Sequence, residues 1–560
     1  MQDHAPHRTS TSVSFTLNGR PVTATAPPFA SLADTLREEL GFTGTKIGCE
    51  AGDCGACTVI LDGEQACACL VATAQADGAS IETVELADPK VGRLRGAFLA
   101  HGAAQCGICT PGMLMAAADL LARNPAPSRG QVEDAIGGVL CRCTGYLKIV
   151  EAILDVVATG SDPSPSTGSD PSAQRSSSTH RIGEGSDPAG ASHMPAVGAR
   201  LPRVDGWPKV AGTDAFGADE APSEALWLRV VRSPHARARF ALGDLDAVKA
   251  RRPGLAAILT FKDVPGENAF GIFPGMKDQP VLAPGFVRFR GEAVLVLVGT
   301  RAAVEGISDA ELPIEWQVET LVSGIEAALA PGAHPIHAGV ADNVLARGNL
   351  RCGDVQAGHA CVAATAEGRF ETAFVEHAYI EPEAGFAVPI GAGPDRIEIA
   401  ACTQAPYMDL EETARVLGVD PSRVRIRPTA CGGGFGGKLD VSVQPLLAVA
   451  AWATKRPVRM IYTRTESMAS TTKRHPARIW AKSSADAEGR LTAFEMRADF
   501  NTGAYASWGR RWPTACRCTA WGPTRWRTQP SRRARSTPTT PLPVPFEASA
   551  SRRPPSRTRR

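Results

Sequence analysis

The feature that most constrains this 560-residue chain is the clustering of its cysteines, because nine of the fifteen lie within the first 143 residues. A metal site usually takes about four protein ligands. The spacing separates the thiols into an upstream group, Cys49, Cys54, Cys57, Cys67 and Cys69, and a downstream group, Cys106, Cys109, Cys141 and Cys143. In a reducing compartment, metal ligation explains such density better than disulfides do. The sequence therefore predicts two metal sites.

The overall composition is that of a globular protein. The length predicts three or four domains, and a hydrophobic content of 43% is sufficient to build their cores. The net charge of +2 gives no electrostatic case for nucleic acid. A membrane is not expected as a partner, because no apolar run is long enough to span one. The N-terminal segment also lacks the apolar stretch of a secretory signal, so we expect a cytoplasmic protein.

Local patterns predict the first elements of the fold. Residues 11–88 alternate short strands with turns, and Asn-Gly at 18–19 and Asp-Gly at 62–63 are typical of hairpins. The segment "SLADTLREELG" predicts a short helix that begins after Ser31. Hydrophobic periodicity then changes, and residues 90–158 are predicted to be helical.

The rest of the chain divides into three stretches that differ in composition and hydrophobic pattern. Residues 159–200 are dominated by Ser, Pro, Gly and Asp and predict a disordered linker. Residues 205–508 combine β-rich runs, such as 293–298, with helical runs, such as 443–454, which predicts an α+β architecture with several subdomains. Residues 510–560 contain thirteen arginines and a single acidic residue and show no amphipathic pattern.

The upstream cysteines carry a specific spacing. Cys49, Cys54 and Cys57 form C-x4-C-x2-C, which is typical of plant-type 2Fe–2S sites with a fourth cysteine farther along. Neighbouring glycines allow backbone amides to approach the cluster sulfurs. On spacing alone the fourth ligand is Cys67 or Cys69, which would face the same side of one predicted strand. A zinc site is the alternative, although zinc usually prefers two C-x2-C knuckles.

The downstream group, Cys106, Cys109, Cys141 and Cys143, has a less conventional spacing. Cys109 precedes a predicted helix with Pro111 in its first turn, where the helix dipole stabilises a thiolate. Spacing alone leaves an iron–sulfur cluster and a zinc knuckle as alternatives.

Taken together, these cysteine segments resemble the iron–sulfur part of the xanthine dehydrogenase/aldehyde oxidase family of molybdenum hydroxylases. The segments are "GCEAGDCGACTVILDG", "AQCGICTPGM" and "CRCTGY". The resemblance implies a β-grasp, ferredoxin-like domain at 11–88 and a helical domain at 89–158, each with one 2Fe–2S cluster. It assigns Cys69 as the fourth upstream ligand and the downstream cysteines to the second cluster. It also implies that Gln105 and Cys143 lie near the pterin of the molybdenum cofactor.

The similarity continues beyond the linker. The segments "VRSPHARARF" and "FRGEAVLVLV" resemble the α/β hammerhead domain of that family, here at 205–330. The segments "HAYIEPEAGFA", "TQAPY" and "CGGGFGGKLD" resemble the beginning of its molybdopterin-binding domain, here at 340–508. Nothing of the size of an FAD domain lies between the second cluster segment and the hammerhead segment. The layout therefore resembles the single-chain bacterial aldehyde oxidoreductases, and the predicted fold is a multidomain α+β chain.

The segment "CGGGFGGK" is rich in glycine, which lets main-chain amides approach a ligand closely, but it lacks the Ser or Thr of a Walker motif. The resemblance implies that Gly434, Phe435 and Gly436 contact the molybdenum cofactor and that Gln404 hydrogen-bonds an oxo group on the metal. Leu439 stands where xanthine-oxidising members carry a glutamate, which favours an aldehyde or a less polar N-heteroaromatic substrate. The acidic residues Glu381 and Glu383, with His377, are interpreted as structural.

The resemblance implies an oxidoreductase that hydroxylates a small molecule with oxygen derived from water. Two clusters in series would pass electrons singly to an external acceptor, and a homodimer is the expected assembly. The alternative is a two-cluster electron-transfer protein without hydroxylase activity. The long similarity over 205–508 favours the enzyme, because an electron carrier has no need of it.

No catalytic residue is assigned, because the resemblance implies that the base is a glutamate late in the molybdenum domain, beyond residue 560. One hypothesis joins this with the arginine-rich tail. Residues 539–559 can be back-translated so that a neighbouring frame reads like a family motif, which indicates a frameshift near Gly509. The 560-residue chain would then be truncated and inactive, with 510–560 as a disordered tail. Sequencing codons 505–515 tests this hypothesis.

Overall fold

The computed structural model describes part of the chain, namely residues 11–159, 203–348, 353–360, 362–391 and 396–511. It divides into two compact units, Met1–Ala215 and Phe216–Arg560. The predicted linker from residue 160 onward and the predicted tail from residue 512 onward lie outside the described residues, so both stay predictions. Within the described ranges, no helix is long and apolar enough to cross a membrane.

The first unit begins with a five-stranded sheet in the order β2-β1-β5-β3-β4. Strands β1 and β5 are parallel and the other pairs are antiparallel. Asn18 and Gly19 both adopt positive φ at the first hairpin, as Asn-Gly predicts. The strands are β1 (Thr11–Leu17), β2 (Arg20–Ala26), β3 (Thr58–Leu61), β4 (Glu64–Cys67) and β5 (Ser80–Glu82).

The predicted short helix after Ser31 is present, and its cap is as expected. The Ser31 hydroxyl accepts a hydrogen bond from the Asp34 amide, and helix α1 (Leu32–Asp34) continues as a π-helical turn at Thr35–Glu39. Leu32 and Leu36 are fully buried against the sheet. Their burial fixes the helix on one face of the sheet, which is the β-grasp arrangement.

Five helices follow in the same unit, and the helical prediction for 90–158 is confirmed. Their bounds are α2 (Pro89–His101), α3 (Thr110–Arg123), α4 (Arg129–Ile136), α5 (Leu147–Thr159) and α6 (Gly206–Ala211). Asp88 and Ser128 cap α2 and α4 through side-chain oxygens. Helix α3 is buried over most of its length, and its Met113 and Leu114 lie in the centre of the helical core.

The second unit is built on a seven-stranded sheet in the order β15-β14-β13-β16-β6-β10-β8. Two three-stranded sheets, β11-β7-β9 and β12-β17-β18, accompany it. The strands are β6 (Leu226–Arg232), β7 (Ala238–Leu242), β8 (Leu255–Leu259), β9 (Phe286–Val287), β10 (Ala293–Gly299), β11 (Ile314–Val318), β12 (Ala364–Thr372), β13 (Ala384–Ile390), β14 (Arg396–Ala401), β15 (Val424–Pro428), β16 (Val458–Ile461), β17 (Ala477–Ala485) and β18 (Leu491–Phe500).

Helices cover this large sheet and close its core. Helix α12 is apolar on all sides and buried, and it packs on the inner strands β13, β14 and β16. Helix α11 packs beside it, on α12 and on the edge strand β15. The sheet joins strands from 226–299 with strands from 384–461, so both stretches share one hydrophobic core. The helices are α7 (Leu245–Ala250), α8 (Arg301–Glu305), α9 (Gly324–Leu329), α10 (Val355–Ala360), α11 (Pro406–Leu417), α12 (Val443–Thr454) and α13 (Arg464–Ser470).

Candidate cofactor sites

Three of the upstream thiols, those of Cys49, Cys54 and Cys57, lie in the loop that precedes β3. The Cys49 sulfur accepts hydrogen bonds from the amides of Ala51 and Cys54, both at 3.4 Å. Gly55 has a φ of +63°, and a Cβ there would lie 2.1 Å from the Gly138 carbonyl oxygen, so only glycine fits. Backbone amides directed at sulfur stabilise the negative charge of an iron–sulfur cluster. The loop therefore fits a 2Fe–2S cluster by its donors and by its amides.

The expectation that Cys67 and Cys69 lie on one strand is wrong. Strand β4 ends at Cys67, and Cys69 lies in the turn that follows, because the chain leaves the sheet there. A hydrogen bond from the Cys57 thiol lowers the pKa of Cys69 to about 6. The Cys67 thiol instead approaches the Gly52 carbonyl oxygen at 3.6 Å. The thiols of Cys67 and Cys69 both lie near the other upstream cysteines, so the identity of the fourth ligand stays a prediction.

The downstream thiols meet at the beginning of α3. Cys109 is the residue before the helix, as predicted from the sequence, and the structure shows that it is also buried. The sulfurs of Cys106 and Cys143 are 3.4 Å apart, and the Thr144 hydroxyl donates to the Cys141 sulfur at 3.1 Å. Hydrogen bonding, first from Cys109, lowers the pKa of the Cys141 thiol to about 2. The same contacts raise the pKa of Cys109 and Cys143, so the four thiols lie together as one interacting group, as a second cluster requires.

Among the described residues, no group of three or more His, Cys, Asp or Glu side chains has the arrangement of a formed metal-ion site, so both clusters stay predictions.

In the second unit, the glycine-rich loop lies between β15 and α12. Gly433 and Gly436 have φ values of +96° and +93°, and Phe435 adopts +52°, a conformation unusual for a side chain of its size. A Cβ at Gly434 would lie 2.4 Å from the side-chain oxygen of Gln404. Near Gly436, by contrast, the nearest atom to such a Cβ is 3.9 Å away. The loop is therefore closed toward Gln404 and open beside Gly436.

Gln404 is held by the loop through its carboxamide oxygen. That oxygen accepts hydrogen bonds from the amides of Gly436, at 3.0 Å, and Lys438, at 3.2 Å. The Gln404 amide in turn donates to the Lys438 carbonyl oxygen at 2.9 Å. Because backbone amides occupy the oxygen, the side-chain NH2 group of this exposed residue is the part that can donate to an oxygen-rich ligand. This cradle fits a cofactor with oxo and pterin groups.

A buried ion pair holds the glycine-rich loop in place. The sequence analysis did not predict this pair. The Lys438 ammonium lies 2.8 Å from Glu381, and both side chains are almost fully buried. The same carboxylate accepts a hydrogen bond from the Gly432 amide at 2.6 Å. Burial raises the pKa of Glu381, and Lys438 opposes this effect. Fifty-seven residues separate the partners, so no local motif could have paired them.

The remaining predicted site residues lie in different units. Gln105 is exposed in the first unit, immediately before Cys106, and its carbonyl oxygen accepts a hydrogen bond from Arg203. Leu439 is half-buried beside Gly436 in the second unit.

Comparison with known proteins gives four family matches along the chain. A "2Fe-2S iron-sulfur cluster binding domain" matches residues 15–83, and a "[2Fe-2S] binding domain" matches 81–154. The "Aldehyde oxidase and xanthine dehydrogenase, a/b hammerhead domain" matches 211–317, and a "Molybdopterin cofactor-binding domain" matches 336–527. The last match extends past residue 510, where the predicted tail begins. The resemblance and the multidomain fold class predicted from the sequence are confirmed.

Individual relatives agree with these matches. The aldehyde oxidoreductase of Megalodesulfovibrio gigas is 32% identical over 520 residues, with 88% of this chain and 54% of the relative covered. The nicotinate dehydrogenase large molybdopterin subunit of Eubacterium barkeri is 37% identical, with 56% of this chain and 72% of the relative covered. The structure of the aldehyde oxidoreductase from Desulfovibrio gigas superposes with a TM-score of 0.75 at 31% identity, with 89% of this chain and 55% of that chain covered. The chain therefore spans about half the length of the aldehyde oxidoreductases that it matches.

Proposed function

Because the chain belongs to the xanthine dehydrogenase/aldehyde oxidase family of molybdenum hydroxylases, we propose that it hydroxylates an aldehyde or an N-heteroaromatic compound with oxygen derived from water. One observation carries the proposal. The chain holds two groups of thiols and, in addition, a glycine cradle that orients the Gln404 side chain. An electron carrier has no use for that cradle, whereas a hydroxylase needs it to hold the molybdenum cofactor.

The proposed residue roles follow from the donor chemistry. When bound, the molybdenum cofactor supplies the two-electron redox centre, and the clusters supply one-electron relays. Gln404 would donate a hydrogen bond to the cofactor through its side-chain NH2 group, and Gly434, Phe435 and Gly436 would contact it. Gln105 and Cys143 contact the pterin. The clusters are held by Cys49, Cys54, Cys57 and Cys69 in the first site and by Cys106, Cys109, Cys141 and Cys143 in the second.

Leu439 supports the proposed class of substrate. Its side chain is apolar and lies on the open side of the loop, beside Gly436. A leucine offers no hydrogen bond to a polar heterocycle, and a site that cannot satisfy buried polar groups of a substrate discriminates against it. An aldehyde or a weakly polar heteroaromatic ring is therefore favoured over a purine.

Several finer features belong to the same proposal. The electrons pass to an external acceptor, the assembly is a homodimer, and the compartment is the cytoplasm. The proposed domains are 11–88 for the first cluster, 89–158 for the second, 205–330 for the hammerhead and 340–508 for the molybdopterin-binding part.

Metal analysis tests the proposal. The chain is purified without oxygen from a host that makes molybdopterin, both as these 560 residues and extended to the length of the aldehyde oxidoreductases. We expect iron in both proteins, and molybdenum together with aldehyde- or nicotinate-dependent dye reduction in the extended one. Iron without molybdenum in both proteins would instead support the two-cluster electron carrier.

A further inference from the structure

Residues 203–214, here called the strap, follow the linker in sequence but belong to the first compact unit. The strap contains α6, which packs on α2 and α3 of the helical part. A Cβ at Gly206 would lie 2.7 Å from the Leu99 side chain, so this contact is close. The strap is therefore a structural part of the iron–sulfur unit, although it is distant from the cysteine motifs in sequence.

The first strap residue holds the backbone that leads into the downstream thiols. Arg203 donates through one guanidinium nitrogen to the carbonyl oxygen of Ala104, at 2.9 Å, and also to that of Gln105. Its other terminal nitrogen donates to Asp205 at 2.9 Å. The guanidinium fork is thus fixed between an acidic partner and the two peptide groups that precede Cys106. Such planar, multidentate contacts are specific to arginine.

A second strap residue, Lys209, packs against the loop between Cys106 and Cys109. Gly107 has a φ of +95°, and a Cβ there would lie 2.8 Å from the Lys209 side chain. The Lys209 ammonium is buried and pairs with Asp214 at 2.5 Å. A buried charge persists only when it is paired in this way. The Lys209 stem is therefore held in place against the peptide between Cys106 and Cys109.

The far end of the strap is tied to the ferredoxin-like part. The Lys46 ammonium donates to the carbonyl oxygen of Asp214 at 3.0 Å. Lys46 is almost fully buried, with 2% of its surface exposed. Asp214 thus receives contacts from Lys46 and from Lys209, and these contacts fix the position of the strap against both cluster-binding parts.

We infer that Arg203 and Lys209 are positioning residues for the second iron–sulfur site, which the strap completes as one of its walls. The inference rests on the proposed function, because it requires a 2Fe–2S cluster on the downstream thiols. Side chains that orient metal ligands contribute to metal retention, and their loss typically weakens binding by about 10- to 100-fold. Arg203 and Lys209 contact the backbone at residues 104–107, so we expect their loss to affect the second cluster more than the first.

The experiment uses the full chain with both clusters and the variants Arg203→Gln and Lys209→Met. Iron release to a chelator is followed with time, and the reduced clusters are examined by electron paramagnetic resonance. In both variants we expect half of the iron to leave about tenfold faster than in the wild type, and one cluster signal to change. The matched control is Arg129→Gln, which removes an exposed ion pair with Glu133 on α4 and should behave as the wild type.

Arg203→Lys separates charge from contact, since it keeps the charge but loses the fork; we expect it to release iron as Arg203→Gln does. Wild-type release from both Arg203→Gln and Lys209→Met would overturn the inference. Equal acceleration at both clusters would also overturn it, because the strap would then serve general stability. A wild-type protein that holds no iron would refute the proposed function instead.

Discussion

At the scale of single residues, the two cofactor regions depend on positions where only glycine fits. Gly55 and Gly434 each face an oxygen atom at a distance that excludes a Cβ. The side chains beside them are placed by backbone amides, as the Gln404 oxygen shows. Substitutions at these positions therefore test the cofactor assignments directly.

The fourth ligand of the first cluster can be identified by comparing Cys69→Ser with Cys67→Ser. We expect Cys69→Ser to lose about half of the bound iron, because a binuclear cluster requires all four ligands. Cys67→Ser should retain the wild-type amount, and it serves as the matched control two residues away. Iron content per chain and visible absorption are the measurements. The reverse order of the two variants would assign the ligand to Cys67.

Gly434→Val should prevent binding of molybdenum without disturbing iron. The new side chain would collide with Gln404, since even a Cβ would lie 2.4 Å from its oxygen. Gly275→Ala, where a Cβ would meet no atom within 4 Å, is the control. Both metals are measured in the chain extended to the length of its relatives. Unchanged molybdenum in Gly434→Val would show that the loop does not hold the cofactor.

At the scale of secondary-structure elements, helices α11 and α12 meet through a buried polar contact. The Gln444 side chain donates to Asp409 at 3.1 Å, and Asp409 is fully buried. Burial raises the pKa of Asp409 to about 7, although hydrogen bonds from Thr403 and Gln444 oppose this effect. Ionisation of this buried carboxyl group near neutral pH therefore lowers the stability of the folded state.

This contact predicts a pH dependence of stability. The ordinary pKa of an aspartate in an unfolded chain is about 3.9, so the folded state binds the additional proton between about pH 4 and 7. Stability from this group is therefore present at low pH and is lost as the pH rises through that range. Asp409→Asn should be more stable than the wild type at pH 8, on the order of 1–3 kcal/mol, with a smaller difference at pH 5.

Thermal unfolding at pH 5 and pH 8 measures this effect in both proteins. The control is Asp420→Asn, which alters an exposed carboxylate in the turn before β15. A wild-type protein that gains stability relative to Asp409→Asn between pH 5 and 8 would contradict the prediction.

At the scale of the whole molecule, we expect the iron–sulfur part and the molybdopterin-binding part to differ in whether they function in the 560-residue chain. All cluster thiols lie in the first compact unit. Expressed as these 560 residues, the protein should therefore be coloured and contain iron, whereas the frameshift hypothesis predicts negligible aldehyde-dependent dye reduction. Robust turnover by this chain would contradict the expectation. Peptides from 512–560 and the gene sequence at codons 505–515 test the frameshift hypothesis separately.

The sequence by itself determined the features that depend on neighbouring residues. The C-x4-C-x2-C spacing, the Asn-Gly and Asp-Gly turns and the helix after Cys109 are local, because turns and helices are set by contacts within a few positions. The role of the glycine loop, by contrast, followed only from the family resemblance, because a glycine-rich segment alone does not identify a ligand. Sequence alone did not separate Cys67 from Cys69, since the end of β4 depends on how the strands pair.

Only the tertiary structure decided the long-range partners. It joined strands from 226–299 with strands from 384–461 in one sheet, it buried Lys438 against Glu381, and it placed Arg203 on the backbone before Cys106. These pairs are separated by tens to hundreds of residues, and no local periodicity connects them. They form because burial of apolar surface closes the chain and brings distant polar groups together, where each must find a partner.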